Sequence, residues 1–146
     1  MSSGGELSGL EILLVEDEPL IGTLISEWLA ENGAEMRWVP TDTEAYRLLE
    51  DDRDTIDVLI TDINLRLGTT GFDVARFGRK LNDRLPVIYL SGEAIDAGNV
   101  PNWCVDRALF LTKPVRPGQL INAILESRAT LAPEERLTIR AGCRSA

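Results

Sequence analysis

Ile12-Leu13-Leu14-Val15-Glu16-Asp17 and Val58-Leu59-Ile60-Thr61-Asp62 are two short apolar runs that each stop at carboxylates. Val87-Ile88-Tyr89-Leu90 stops at Ser91 in the same way, and Leu109-Phe110-Leu111-Thr112 stops at Lys113. Runs this short and this apolar read as strands buried on both faces of a parallel sheet. Open α/β sheets place their sites along the carboxyl ends of such strands. The polar endings are therefore expected to meet in one pocket.

The intervening segments carry helical signals. From Pro19 to Asn32 the apolar residues fall at 20, 21, 24, 25, 28 and 29, with proline at the start and Gly33 past the end. Met36 to Val39 reads as a short strand, and Thr41-Asp-Thr-Glu44 has a capping-box pattern opening a helix toward Arg53. Ile56 to Thr61 is the third strand. After Asp62, a loop from Asn64 to Gly71 precedes a helical stretch with Phe72, Ala75 and Leu81 on related faces, and Pro86 to Leu90 is the fourth strand. A short helix is expected at Ala94 to Val100, interrupted by Gly98 and stopped by Pro101. Ala108 to Leu111 makes the fifth strand, and the last helix opens at Pro117, carries Leu120, Ile121, Ile124 and Leu125, and ends near Thr130.

Five strands alternating with helices predict an α/β fold, a doubly wound five-stranded parallel sheet with helices on both faces. The flavodoxin-like order 2-1-3-4-5 opens its crevice between strands one and three, which end at Asp17 and Asp62. One domain is expected over residues 10–130, between a flexible N-terminus at 1–9 and a loose C-terminal tail at 131–146.

Composition narrows the chemistry. The net charge of −9 repels a nucleic-acid backbone, so direct DNA or RNA binding is not expected. No apolar stretch approaches the ~18 residues of a membrane span, and the Ser/Gly-rich start lacks a signal-peptide pattern, so a cytoplasmic location is expected. Histidine is absent, which removes the commonest general base and transition-metal ligand. Cys104 and Cys143 lack a CxxC spacing and read as reduced thiols.

What remains is carboxylate and hard-ion chemistry. Glu16, Asp17 and Asp62 brought together would repel, two charges ~4 Å apart by about 4 kcal/mol at an effective dielectric near 20. A divalent cation relieves that repulsion, and an all-oxygen donor set favours Mg²⁺, with Mn²⁺ as the other candidate. Asp62 is the candidate nucleophile, because a carboxylate needs no base before it attacks a phosphoryl group. Lys113, one of two lysines in the chain, is placed to neutralise phosphoryl oxygens, and Ser91 to donate a hydroxyl hydrogen bond.

Val-Glu16-Asp17-Glu, Ile-Thr-Asp62, Tyr-Leu-Ser91-Gly and Leu-Thr-Lys113-Pro114, in that order at four strand ends, closely resemble the receiver domain of bacterial two-component response regulators. The resemblance runs from about Leu10 to Thr130. It implies that Asp62 accepts phosphate from a histidine kinase or phosphotransfer protein. It also implies that Glu16, Asp17, Asp62 and the Asn64 main-chain carbonyl serve Mg²⁺, and that the Lys113-Pro114 bond is cis. A switch is implied in which the Ser91 hydroxyl moves to the phosphoryl group and Phe110 turns inward, with Asn64 and Glu93 tuning dephosphorylation. Arg66, where many receivers have proline, the 67–71 loop and the weak fourth helix depart from the pattern.

The function expected is thus a stand-alone phosphorylation-switched signalling protein. It would be no enzyme beyond its own phosphoryl transfer and autodephosphorylation, and would act through an unknown downstream protein as a monomer or phosphorylation-dependent dimer. The alternative is a receiver-like adaptor that binds partners without cycling phosphate. An aspartate-nucleophile phosphatase fits less well, because such enzymes usually carry a second aspartate two residues on, where this chain has Asn64.

Overall fold

The computed structural model describes residues 5–65, 70–92, 104–130 and 144–145. Its elements in chain order are β1 (Glu11–Val15), α1 (Pro19–Glu31), β2 (Glu35–Val39), α2 (Asp42–Asp52), β3 (Val58–Asp62), α3 (Gly71–Leu81), β4 (Val87–Ser91), β5 (Leu109–Thr112), α4 (Pro117–Thr130) and β6 (Arg144–Ser145). The expected helix at Ala94 to Val100, together with Arg66, Glu93 and Trp103, lies outside the described residues.

All strand pairs are parallel, in the order β2-β1-β3-β4-β5-β6. The expected 2-1-3-4-5 arrangement is present, with one addition. Two residues of the tail, anticipated as loose, pair beside β5 as β6. Strand ends shift by one or two residues from the sequence reading: β3 starts at Val58 and ends at Asp62, and β4 ends at Ser91.

Side chains alternate along each strand, so each strand feeds two separate cores. Ile12, Leu14, Val58, Ile60, Ile88, Leu90, Leu109 and Leu111 pack with Ile25 and Leu29 of α1 and Leu120 and Ile124 of α4. Leu13, Val15, Leu59, Val87, Tyr89 and Phe110 pack with Ala45 and Leu49 of α2 and Phe72, Val74 and Ala75 of α3. Burial on both faces is why β3, β4 and β5 are almost wholly apolar before their last position, whereas the edge strand β2 carries Glu35 and Arg37 and is only partly buried.

Helix starts follow local chemistry. Thr41 accepts from the Glu44 N–H at 3.2 Å, as the capping pattern predicted. Thr70 and Asp73 form a reciprocal capping box at the start of α3, where an aspartate replaces the usual glutamate at the third position. At the N-terminus, the described part of the segment expected to be flexible is folded back: Leu7 is fully buried and its N–H donates to the Asn32 carbonyl at 2.9 Å.

Cys104, read from its spacing as a reduced thiol, is disulfide-bonded. Spacing reports local motifs only, whereas β6 shows the C-terminus returning to the sheet beside β5. Among the described residues, no helix is long and apolar enough to cross a membrane.

Tyr89 sits at the centre of the second core, fully buried, with its hydroxyl accepting from the Val105 N–H at 3.1 Å. Burial pushes its pKa up to about 12, against a smaller lowering by the Val105 hydrogen bond. The unfolded chain would ionise this phenol near pH 10 while the folded one would not. Its contribution is therefore complete below pH 10 and is lost as pH rises toward 12, on the order of 2 kcal/mol. Urea unfolding at pH 7 and at pH 11 should show Tyr89→Phe losing less stability than the parent between those values, with a cost of about 1 kcal/mol at pH 7 from the unpaired Val105 N–H.

Candidate functional site

Strand register brings the site together. Val15 lies level with Thr61, which sets Glu16 beside Asp62, and Ser91 lies level with Thr112, which sets Lys113 just beyond. The Lys113 ammonium is 3.0 Å from Asp62 Oδ2 and 3.1 Å from Glu16 Oε1. Carboxylate oxygens of Glu16, Asp17 and Asp62 lie within 4.8 Å of one another. Glu16 is fully buried, Asp62 and Ser91 nearly so, and Asp17 half-buried.

Glu16 and Lys113 are tuned by their surroundings. Burial holds the Glu16 carboxyl above its ordinary range, the Asp62 charge adds to this, and Lys113 and the Glu18 N–H oppose it. Burial alone would lower the Lys113 pKa, but its hydrogen bond to Asp62 and the charges of Glu16 and Asp62 outweigh that and leave it raised. The lysine is thus held protonated between two carboxylates.

The donor set fits a hard divalent cation. Glu16 Oε1 is buried, and its contact is the 3.1 Å ion pair with Lys113. Three carboxylates converging within 4.8 Å, with one ammonium shared by two of them, form the hard oxygen donor set that a Mg²⁺-type ion takes. Glu16 Oε2 is already engaged by the Glu18 N–H at 3.1 Å. Asn64, expected to present its main-chain carbonyl, is exposed and donates its own N–H to Asp62 Oδ1 at 3.3 Å.

The Lys113-Pro114 bond is cis, as the resemblance implied. The Lys113 N–H donates to the Ser91 carbonyl at 2.7 Å, tying the end of β5 to the end of β4. Phe110 is inward and buried, its ring 4.9 Å from Tyr89 and 6.4 Å from Phe72. Glu93 lies outside the described residues.

Two contributors went unread in the sequence. Trp38 donates its indole N–H to the Glu16 carbonyl at 2.9 Å, and its ring lies where a Cβ on Gly22 would fall, 2.2 Å away. Gly71 opens α3 against the Asp62 carbonyl, where a Cβ would come within 2.1 Å of that oxygen. A tryptophan in a short strand and a glycine in a loop were the available signals, and neither states what it will touch. An apolar groove of about 350 Å³ also opens at the site, lined by Ile21, Leu24, Trp28, Lys113 and Pro114 among others. A cleft of about 740 Å³ lined by Arg53, Arg84 and Arg128 shares no residue with the carboxylate site.

Comparison with known proteins agrees with this geometry. The family model described as "Response regulator receiver domain" matches residues 12–125. The two-component response regulator-like APRR3 of Arabidopsis thaliana is 30% identical over 117 residues, covering 77% of this chain and 23% of that protein. A probable transcriptional regulatory protein of Picosynechococcus is 30% identical over 115 residues, covering 75% of this chain and 45% of its own. The chain thus spans about half or less of these curated relatives. A crystal structure of a response regulator receiver protein from Sinorhizobium medicae is 27% identical with a TM-score of 0.72, covering 85% of this chain and 98% of that one. A CheY-like receiver domain protein from Methanospirillum hungatei is 25% identical with a TM-score of 0.74, over 87% and 99% of the two chains.

Gly71→Ala should cost about 1–3 kcal/mol in urea unfolding through overpacking against the backbone. The same variant should weaken Mg²⁺ binding read by tryptophan fluorescence, because relief of the clash must move the Asp62 backbone.

Proposed function

We propose, for a chain that belongs to the response regulator receiver family, that Asp62 is the residue through which it is switched by phosphorylation. The observation carrying this is the 3.0 Å contact between Lys113 and Asp62 inside the Glu16, Asp17 and Asp62 cluster. Asp62 would attack the phosphorus of a phosphohistidine on a histidine kinase or phosphotransfer protein. The new bond is Asp62 oxygen to phosphorus, the bond broken is phosphorus to imidazole nitrogen, and the imidazole leaves with the electron pair.

Glu16, Asp17, Asp62 and the Asn64 main-chain carbonyl would hold Mg²⁺, which supplies positive charge beside the phosphoryl oxygens when bound. Lys113 supports the reading by presenting a protonated amine to those oxygens, already neutralising Asp62 before transfer. Ser91 would donate its hydroxyl to the phosphoryl group. That movement would draw on the backbone link between Ser91 and Lys113 and on the packing of Phe110, making these the switch residues. Polar Asn64 and Glu93 would admit the water that hydrolyses the acyl phosphate.

The donor protein is proposed to dock on the apolar groove beside the site. Leu24 lines it and is 47% exposed, Leu20 on the same helix is 85% exposed, and Lys113 belongs to both groove and site. Unburied leucines at the mouth of a phosphoacceptor site fit an apolar helical surface carrying the phosphohistidine.

Incubation with a small acyl phosphate and Mg²⁺ should give a base-labile adduct of one phosphate. Asp62→Asn or chelation by EDTA should abolish it, and Lys113→Met should slow it by at least tenfold. Absence of an adduct in the parent would leave a phosphate-independent adaptor. Leu24→Glu should leave the acyl-phosphate reaction intact and slow transfer from a phosphorylated histidine protein by about tenfold.

A further inference from the structure

In a five-stranded sheet of order 2-1-3-4-5, β5 is an edge, and an edge strand presents a row of unpaired N–H and C=O groups that invites another strand. In this chain that edge is met from within. Arg144 lies level with Leu109 and Ser145 with Phe110, parallel to β5. Two residues of strand are too few to persist by their own hydrogen bonds, each worth about 1 kcal/mol net. Something else must hold them.

A second observation supplies the holder. Cys104 is disulfide-bonded, and the sequence contains one other cysteine, Cys143, the residue immediately before β6. The segment from Cys104 to Ala108 contains a turn, with Arg107 at φ 59°. It is also anchored from below. The Val105 N–H donates to the buried Tyr89 hydroxyl at 3.1 Å, and the Arg79 guanidinium holds both the Asp106 carboxylate and its carbonyl at 2.9 Å. Cys104 is therefore presented at a fixed place beside the start of β5.

We infer that the outer edge of β5 is a strand-accepting surface whose occupant is the chain's own C-terminus, held there by a Cys104–Cys143 disulfide. The bond shortens the tether between β5 and its occupant and so raises the effective concentration of the pairing strand, which is how so short a strand stays bound. A dithiol reductant opens it. Two electrons and two protons pass from the dithiol, which leaves as its own disulfide, and Cys104 and Cys143 become thiols. The edge of the strand that carries Phe110 and leads into Lys113 is then uncovered, so access to that edge depends on redox state rather than on phosphate.

The full chain, purified without reductant, is alkylated with iodoacetamide under denaturing conditions, digested and mapped. No cysteine should be alkylated, and one cross-linked peptide should contain both residues. Hydrogen exchange of the native protein is then compared before and after treatment with dithiothreitol. The amides of Leu109–Thr112 should exchange about tenfold faster after reduction, while those of β1 and β3 stay unchanged. Cys104→Ser should exchange like the reduced parent without further response to dithiothreitol, and a melting curve checks that it remains folded. Cys143→Ser, which leaves the Tyr89-anchored turn untouched, should behave the same way. Alkylation of both cysteines without reduction, a disulfide between two copies, or β5 exchange indifferent to reduction would each overturn the inference.

Discussion

The Lys113 ammonium lies 3.0 Å from Asp62 and 3.1 Å from Glu16, and the geometry of the site follows from keeping those three groups together out of water. Two carboxylates a few ångströms apart repel by several kcal/mol at an effective dielectric near 20. The half-buried lysine offsets part of this, and the register of β1, β3, β4 and β5 opposes the rest, because no strand can slide without exposing its apolar residues. A rigid apolar sheet is thus what allows a strained polar edge. Three carboxylates face one ammonium there, which leaves net negative charge at the edge.

Support for the charged edge comes from both cores. On one side Trp38, packed over Gly22, reaches the Glu16 carbonyl and fixes the chain where β1 ends. On the other, Phe72, Tyr89 and Phe110 form a contiguous aromatic group linking the start of α3 to the middle of β5. Gly71 lets α3 begin directly against Asp62. A change at Asp62 is therefore in packing contact with α3 and, through the aromatic rings, with β5. Physical continuity of this kind is what a switch requires, since packed side chains rearrange between discrete arrangements rather than deforming smoothly.

Legibility differed by residue. Asp62, Glu16 and Lys113 could be read from strand endings because a fully apolar run leaves its terminal polar residue with little else to do. The capping role of Thr41 was readable for the same local reason, while that of Thr70 was hidden by an aspartate in place of glutamate. Trp38 and Gly71 were not readable. Their roles depend on distances between elements, and nothing in their neighbours along the chain encodes a carbonyl across a helix packing surface. Cys104 was misread for that reason: its spacing to Cys143 is long, and only the return of the C-terminus to β5 brings that end of the chain near it.

By itself the sequence determined the class of fold, the order of its strands, which charged residues meet at the strand ends and the family to which the chain belongs. These rest on local periodicity and on residue types at strand ends, which physics constrains within a few positions. The tertiary structure alone decided which atoms of Glu16 are satisfied, that Phe110 lies inward, that Gly71 must remain a glycine, and that the sheet continues past β5. Each is a matter of contact between segments far apart in the chain, set by how two cores pack on one sheet.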